Sequence, residues 1–345
     1  HLLICRMRFI GLFLLYVISS SFSEAQNSSS YVALDLSLSA RHAILNEPVS
    51  LYSNDIESGI FNPAMLNKKM EKQLSLNFVD YFSDINFVSA AYALPLSDFG
   101  TIGFSVKSIG YGEFNETDFT AQSLGTFGAN EQIISVGLGK EISELWLVGA
   151  SIKTLFSNLY DYQSIALASD IAIAYKKEDK NFSMSLLARN YGRQISTYAI
   201  VEEVLPFQLD FGLSKRLEHL PFLIILNYKN IQKWDLTSIY ESTNSELNQN
   251  AINDEINFTN KLFRHIDFGG ELSIGKNIQL RMGYNPKRRQ ELKVESYLGM
   301  VGFSWGLGIK ISHFKINYGR STYHLHGSPN YFSFSTDFSK FYKKQ

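Results

Sequence analysis

The chain has 345 residues, a formal net charge of −1 and 19% charged residues, below the roughly 25% typical of soluble domains. So nearly neutral a chain gives no basis for a nucleic-acid-binding surface, and its mean hydropathy of −0.08 excludes a bundle of membrane helices. Phe and Tyr are abundant, at 26 and 19 residues, which suits strands and the aromatic girdles of membrane barrels.

The first element in chain order is a secretory signal peptide, predicted over residues 1–25. Two arginines precede an apolar run at 9–22, and small residues follow at the −3 and −1 positions of a cleavage site before Gln26. Translation is predicted to start at Met7, with the six residues before it lying upstream. The alternative is an N-terminal membrane anchor, for which the run is short. The single cysteine, Cys5, lies in this segment, so the mature chain is predicted to have no disulfide.

Residues 26–72 are predicted to form a plug that precedes the barrel. They do not alternate as a spanning strand, and they contain the triplet Asn62-Pro63-Ala64. Several apolar residues, such as Ile56, make the segment too apolar for a free tail. We expect it to pack inside the barrel or beneath it. Proline fixes its own φ and restricts the preceding residue, so the triplet is predicted to set the backbone where the plug enters the barrel base.

Residues 73–340 alternate apolar and polar side chains, most clearly over 277–284, where Ile278, Leu280 and Met282 share one face. A bilayer admits β-structure only as a closed barrel, because an open edge would leave backbone groups unpaired in lipid. The pattern predicts an all-β transmembrane barrel of about fourteen antiparallel strands. These strands are predicted approximately at 73–82, 85–94, 100–111, 130–141, 144–157, 163–176, 181–191, 206–216, 222–232, 264–274, 277–286, 297–310, 313–320 and 331–338.

The connections also alternate in length. Those after even-numbered strands are short, whereas most of those after odd-numbered strands are longer and polar. Outer-membrane barrels have short periplasmic turns and longer external loops, so the parity predicts a bacterial outer-membrane location with the longer set outside. The longer connections are predicted at 112–129, 192–205, 233–263, 287–296 and 321–330.

The stretches Ser50–Asp55 and Phe61–Leu66 resemble the pre-barrel segment of the PorV/PorQ barrels, which are related in fold to the fatty-acid transporter FadL. The resemblance covers about residues 33–338. One departure is Leu45-Asn46, which stands where the family usually has a glycine pair, and another is Ser53–Asp55, where it has several acids. Further stretches similar to the PorQ family are 205–207, 214–217, 230–237, 264–265, 280–285, 287–291 and 318–320.

The resemblance implies a non-enzymatic barrel of the type IX secretion system of Bacteroidota. Its partners would be PorU-like and PorV-like attachment-complex proteins and a PorZ-like surface protein, which it would hold while cargo is joined to lipopolysaccharide. Lys287, Arg288 and Arg289 are candidate contacts to a partner or to lipopolysaccharide phosphates; the alternative is a solvated loop tip. A second function is a FadL-like transporter of small hydrophobic ligands. A transporter should bury an apolar pocket between plug and wall, whereas a scaffold should have a filled or polar lumen.

The sequence carries no catalytic, cofactor or metal site that its spacing supports. Gly302–Gly306 matches the hydrolase pattern G-x-S-x-G, but that pattern requires a strand-to-helix turn and here it falls within a predicted strand. His324 and His326 are spaced to share one face, yet a metal site needs a third ligand. A protein without enzymatic activity and without a cofactor is therefore expected.

Overall fold

The chain folds into a closed barrel of fourteen antiparallel strands, as predicted, in which β1 pairs with β14. The structure is a computed structural model that describes residues 31–83, 85–96, 99–198, 202–237, 258–292, 299–323 and 327–340. The predicted signal peptide lies outside these residues. The strands are β1 Gln73–Asp80, β2 Asn86–Pro95, β3 Thr101–Thr117, β4 Ser123–Glu141, β5 Trp146–Leu159, β6 Tyr162–Lys177, β7 Phe182–Ser196, β8 Gln208–Arg216, β9 Phe222–Tyr228, β10 Ile266–Ile274, β11 Ile278–Tyr284, β12 Phe303–Ile311, β13 Phe314–Ser321 and β14 Asn330–Asp337.

The two faces of the wall have opposite chemistry. On β11, Leu280 and Met282 point outward and are 42% and 65% exposed, while Arg281 points into the lumen and is buried. On β8, Asp210 and Ser214 are buried on the lumen side in the same way. Alternation of this kind matches apolar side chains to lipid and polar ones to the interior. No helix among the described residues is long and apolar enough to cross a membrane.

The segment before β1 fills the lumen. Its first described residue, Tyr31, is buried with its ring stacked on Tyr198 at 6.0 Å between centroids, and its hydroxyl lies 2.6 Å from that of Ser164 on β6. The segment then descends, and its last 3-10 turn precedes the first residues of β1. It contains two short α-helices, α1 Ala40–Ile44 and α2 Ile56–Phe61, and three 3-10 turns, Val32–Leu34, Pro63–Met65 and Lys68–Met70. We call residues 31–72 the plug.

Two predicted external loops are wrong in length. Residues 112–129 are mostly strand, because β3 and β4 continue to a turn at 118–122, and β7 extends to Ser196. These ends lie beyond the lipid, where both faces meet water, so the apolar alternation that marks a spanning strand is lost there. β3 to β7 have 14 to 19 residues whereas β8 to β14 have 7 to 9, so one side of the wall projects farther outward.

Three other boundaries also differ from prediction. The predicted loop 287–296 begins as a helix, α4 Pro286–Leu292, and the predicted loop 233–263 ends in α3 Phe258–Phe263. The twelfth strand begins at Phe303 rather than at residue 297, because Gly302 has φ +88° and ends the preceding turn. Residues 238–257, 293–298 and 324–326 lie outside the described part of the chain, and with them His324 and His326. Two short 3-10 turns, Glu178–Lys180 and Phe338–Lys340, complete the elements.

Charge introduced on the outer face should destabilise the barrel. Leu280 points into the lipid region near the middle of β11, so Leu280→Arg is expected to cost about 2–4 kcal/mol of folding free energy. Heat-modifiable gel mobility after a urea series measures the loss. Leu280→Ile, which keeps the apolar face, is the control. Equal midpoints for the two variants would contradict the outward assignment of Leu280.

The orientation of the barrel is testable with single cysteines. Thr120 lies in the exposed turn between β3 and β4, and Lys276 lies in the exposed turn between β10 and β11, at the opposite end. On intact cells a membrane-impermeant maleimide is expected to label Thr120→Cys and not Lys276→Cys, which should react only after permeabilisation. Labelling of Lys276→Cys and not of Thr120→Cys on intact cells would show that the barrel has the opposite orientation in the membrane. The chain has one natural cysteine, Cys5, in the predicted signal peptide.

Candidate functional site in the barrel lumen

The plug approaches the wall closely at Asn62, Pro63 and Ala64, the triplet predicted to set the backbone there. All three are buried. The amide nitrogen of Asn62 donates to the carbonyl of Val49 (2.6 Å) and to the hydroxyl of Ser185 on β7 (2.8 Å), and its amide oxygen accepts from the backbone of Ala64 (3.0 Å). Pro63 opens the 3-10 turn, where its fixed φ is compatible and its missing N–H is no loss. Asn62 thus joins both halves of the plug to the wall.

Two wall glycines make this contact sterically possible. A Cβ on Gly149 of β5 would lie 2.2 Å from the carbonyl carbon of Pro63, and one on Gly139 of β4 would lie 2.5 Å from its carbonyl oxygen. Both distances fall well inside van der Waals contact, and the atoms met belong to backbone, so no rotamer change relieves them. The 3-10 turn Pro63–Met65 therefore packs directly against the wall backbone at two positions that carry no side chain.

A buried charge cluster ties α1 to the opposite side of the wall. The carboxylate of Glu271 on β10 accepts from Arg41 Nε (2.9 Å) and Nη2 (3.0 Å) and from Arg281 Nε on β11 (2.8 Å). Arg281 also donates to Asn317 (2.8 Å), and Arg41 lies 3.5 Å from Asp55 of the plug. Paired, hydrogen-bonded charges of this kind are tolerated in an interior, whereas single ones are not. Arg41 therefore anchors the plug through a two-point contact with Glu271.

A second anchor holds the beginning of the plug. Asp35 accepts from Asn190 Nδ2 (2.6 Å), Gln208 Nε2 (2.7 Å) and Arg189 Nη2 (3.2 Å). Burial raises the pKa of Asp35 to about 6, although Arg189 opposes the rise. A small cavity of about 20 Å3 lies beside it, with Lys107 on its wall. That volume holds about one water, so the lumen is closed at this level.

A third anchor lies at the turn after α1. Lys229, just beyond β9, lies 3.0 Å from Glu47 of the plug and 3.1 Å from Asp267 of β10. Burial alone would raise the pKa of Glu47, but Lys229 and Arg189 outweigh it and hold that pKa at about 2. Glu47 is therefore ionised at neutral pH, and its contact with Lys229 is a full ion pair.

Among the described residues, no backbone–backbone hydrogen bond joins residues 31–71 of the plug to a strand. The polar contacts between this part of the plug and the wall therefore all involve a side chain. The contacts between the two backbones run instead through side chains such as Ser333, whose hydroxyl accepts from the N–H of Ala40 (2.8 Å). The wall, by contrast, is paired strand to strand around its circumference. The plug can consequently move without breaking any strand pair of the barrel.

The three basic residues predicted to contact a partner lie together on α4, at the outer end of the barrel. Lys287 lies 3.9 Å from Glu291, and the guanidinium of Arg288 lies 4.1 Å over the ring of Tyr323. Arg289 donates to the carbonyl oxygens of Gly299 and Val301. The structure thus places the three on one short helix but directs Arg289 back onto its own chain, so the predicted contact with a partner or lipopolysaccharide rests on Lys287 and Arg288.

The sequence motifs considered as possible catalytic or metal sites have structural roles in the barrel. Ser304 of the G-x-S-x-G pattern is buried on the lumen side of β12, not on a strand-to-helix turn. No group of three or more metal-ligating side chains occurs within the described residues. His42, buried in α1, lies 3.2 Å from the hydroxyl of Ser58, and burial lowers its pKa to about 4, which keeps the ring neutral.

The sequence pattern did not reveal the anchoring residues as a set. The alternation of side chains already placed Arg281 on the inward face of its strand, and Glu271 lies directly opposite it in the β10–β11 hairpin. The sequence therefore indicated this pair. Arg41 had none, because nothing local shows where a plug residue lands on the wall. Gly149 had only a weak signal, since a lumen-facing glycine also suits a crowded wall without a plug.

No protein-family model matches the chain, and no curated protein does. Among solved structures, a deltaS2S3 mutant of the TodX monoaromatic hydrocarbon channel is 12% identical, covers 87% of this chain and 98% of its own, and has a TM-score of 0.52. The Pseudomonas putida toluene transporter TodX is 12% identical over 86% and 96%, with a TM-score of 0.49. A Pseudomonas aeruginosa FadL homologue is 10% identical over 87% and 98%, also with 0.49.

The first of these likenesses shows a shared fold. Together with the closed strand order and the apolar exterior, it defines the class of this protein as a plugged, fourteen-stranded β-barrel with the fold of TodX. Because no family model matches this chain, its resemblance to the PorQ family stays a prediction.

Proposed function

We propose that this chain is a gated outer-membrane barrel through which small hydrophobic molecules cross, with the plug as its gate. The observation that carries the proposal is that no backbone–backbone hydrogen bond among the described residues joins residues 31–71 of the plug to a strand, whereas the wall is paired strand to strand around its circumference. The shared fold with TodX, a monoaromatic hydrocarbon channel, supports it. Buried plug residues pack against the inner face of the wall, so passage through the lumen requires the plug to shift.

Uptake measurements test this function. A strain without the protein is expected to take up radiolabelled toluene or a long-chain fatty acid several-fold more slowly, with uptake restored by the intact chain. A barrel that folds yet restores no uptake of either probe would contradict the proposal. An unrelated plug-free porin expressed at the same level controls for general outer-membrane leakage.

A second candidate is the scaffold of type IX secretion, with a PorZ-like partner at the cell surface and PorU-like and PorV-like proteins beside it. The lumen favours it, since the plug is packed into it and is fixed there by three sets of buried ion pairs. The projecting ends of β3 to β7 offer a surface to a soluble partner, and Lys287 and Arg288 on α4 are candidate contacts to lipopolysaccharide.

The scaffold predicts a different phenotype. Loss of the protein should release the PorZ-like partner from the cell surface and reduce cargo attachment, with hydrophobic uptake unchanged. Loss that keeps partner and cargo in place but slows uptake would favour the channel and reject the scaffold.

A further inference from the structure

A charged groove of about 470 Å3 opens at the end of the barrel that carries the short turns, between the plug and the wall. The last 3-10 turn of the plug forms one side, and the ends of β4 and β6 form the other. Short turns are periplasmic in outer-membrane barrels, so the groove faces the periplasm. At the rim of the groove, Lys68, Lys69 and Lys140 are exposed, so a solute can reach them.

The groove has an excess of positive charge. Four lysines and two glutamates line it, which leaves two positive charges uncompensated. The two glutamates, Glu141 and Glu178, are already engaged by Lys176 at 2.9 and 3.3 Å. Lys68 and Lys140 have no carboxylate partner among the described residues. Two ammonium groups without a carboxylate partner thus lie at the rim, Lys68 on the plug and Lys140 on the wall, where Lys140 lies 6.0 Å from the centroid of the Phe99 ring.

The floor of the groove is rigidly built. The side chain of Lys176 is only 6% exposed, and its ammonium donates to the hydroxyl of Tyr52 (3.0 Å) as well as to the two glutamates. Lys176 and Lys69 both approach the Tyr52 ring, at 4.5 and 5.6 Å from its centroid. Because these contacts hold the floor in place, a ligand would not have to order it, and binding costs less conformational entropy.

We propose that this groove binds an acidic peptide segment of a periplasmic protein. Lys68 and Lys69 lie on the last 3-10 turn of the plug and Lys140 lies on β4, so carboxylates spread along an extended chain contact both sides of the groove together. The volume also far exceeds that of a single inorganic anion. A peptide that bridges Lys68 of the plug and Lys140 of the wall fastens the plug in its closed position. The proposal holds whichever molecules cross the barrel.

Direct binding tests the proposal. Fluorescein-labelled hexaglutamate is titrated with the full-length barrel in nanodiscs, and its anisotropy is followed. The intact protein is expected to bind, with affinity falling as salt screens the charges. Lys68→Gln/Lys140→Gln is expected to weaken binding about tenfold. The matched control is Lys215→Gln/Lys276→Gln, which removes two positive charges from the same end of the barrel outside the groove and should bind as the intact protein does.

Three outcomes would overturn the proposal. The first is equal weakening by both double variants, which assigns binding to diffuse charge. The second is displacement of hexaglutamate by inorganic phosphate at an equal concentration of charge. The third concerns the plug: hexaglutamate is expected to slow hydrogen exchange across residues 62–70, and binding that leaves this exchange unchanged contradicts the bridge between plug and wall. Heat-modifiable gel mobility confirms that each variant is folded before titration.

Discussion

Gly149→Val is expected to dislodge the plug turn from the wall while leaving the barrel closed. The new Cβ would lie 2.2 Å from the carbonyl carbon of Pro63 and 2.4 Å from the backbone nitrogen of Ala64, so the backbone of the plug itself has to move. Overpacking of this kind costs about 2 kcal/mol, which corresponds to an opening equilibrium about thirtyfold larger. Hydrogen exchange across residues 61–66 should accelerate by that factor.

The matched control is Gly128→Val on β4, where a Cβ meets no atom within 4 Å and exchange of the plug should not change. Uptake in the same strains then separates the two functions. A channel gated by the plug predicts faster entry of toluene in Gly149→Val cells than in intact ones. Faster exchange with unchanged uptake would mean that the plug is not the barrier to passage, which favours the scaffold.

The wall of this barrel could be predicted from sequence because lipid imposes a strict rule on it. Side chains that face the bilayer must be apolar at every second position, so β11 was expected at 277–286 and lies at Ile278–Tyr284. The rule ends where the lipid ends. Beyond that level both faces of β3 and β4 meet water, and Asn115, Glu116 and Thr117 looked like loop although they are strand.

The plug was expected inside the barrel or beneath it, but its fold could not be predicted from its sequence. Its composition showed that it must be buried, yet its contacts are long-range and have no periodicity. The backbone at Asn46 and Glu47 illustrates this. Both have positive φ, 55° and 54°, and Asn46 is one of the two residues that stand where the resemblance to the PorQ family implies a glycine pair. Asn tolerates that region better than most residues, and the ion pair of Glu47 with Lys229 offsets the strain there.

Glu271→Ala is expected to be the most destabilising single change in the lumen. Its carboxylate receives Arg41 and Arg281 at 2.8–3.0 Å, with Arg216 at 3.5 Å, and it is 2% exposed. Removal leaves three guanidinium groups facing one another without an anion between them. Breaking a buried ion pair by deleting one partner costs about 3–5 kcal/mol, and here the like-charge repulsion adds to the lost contact. A urea series followed by gel mobility measures the fall.

The control is Glu218→Ala, which removes a glutamate whose side chain is 59% exposed and which pairs with Lys215 at 3.8 Å; an exposed pair is worth about 1 kcal/mol or less. A more specific test is which part of the chain loses protection from hydrogen exchange. Because Arg41 belongs to the plug, hydrogen exchange over Ala40–Ile44 should rise in Glu271→Ala well before the strands open. Arg41→Met in the Glu271→Ala background should recover part of the lost stability, since it removes one of the three guanidinium charges around the deleted carboxylate; in that background Arg41 keeps Asp55, at 3.5 Å. No recovery would show that Arg41 does not share a charge site with Arg281, and would remove this anchor from the plug.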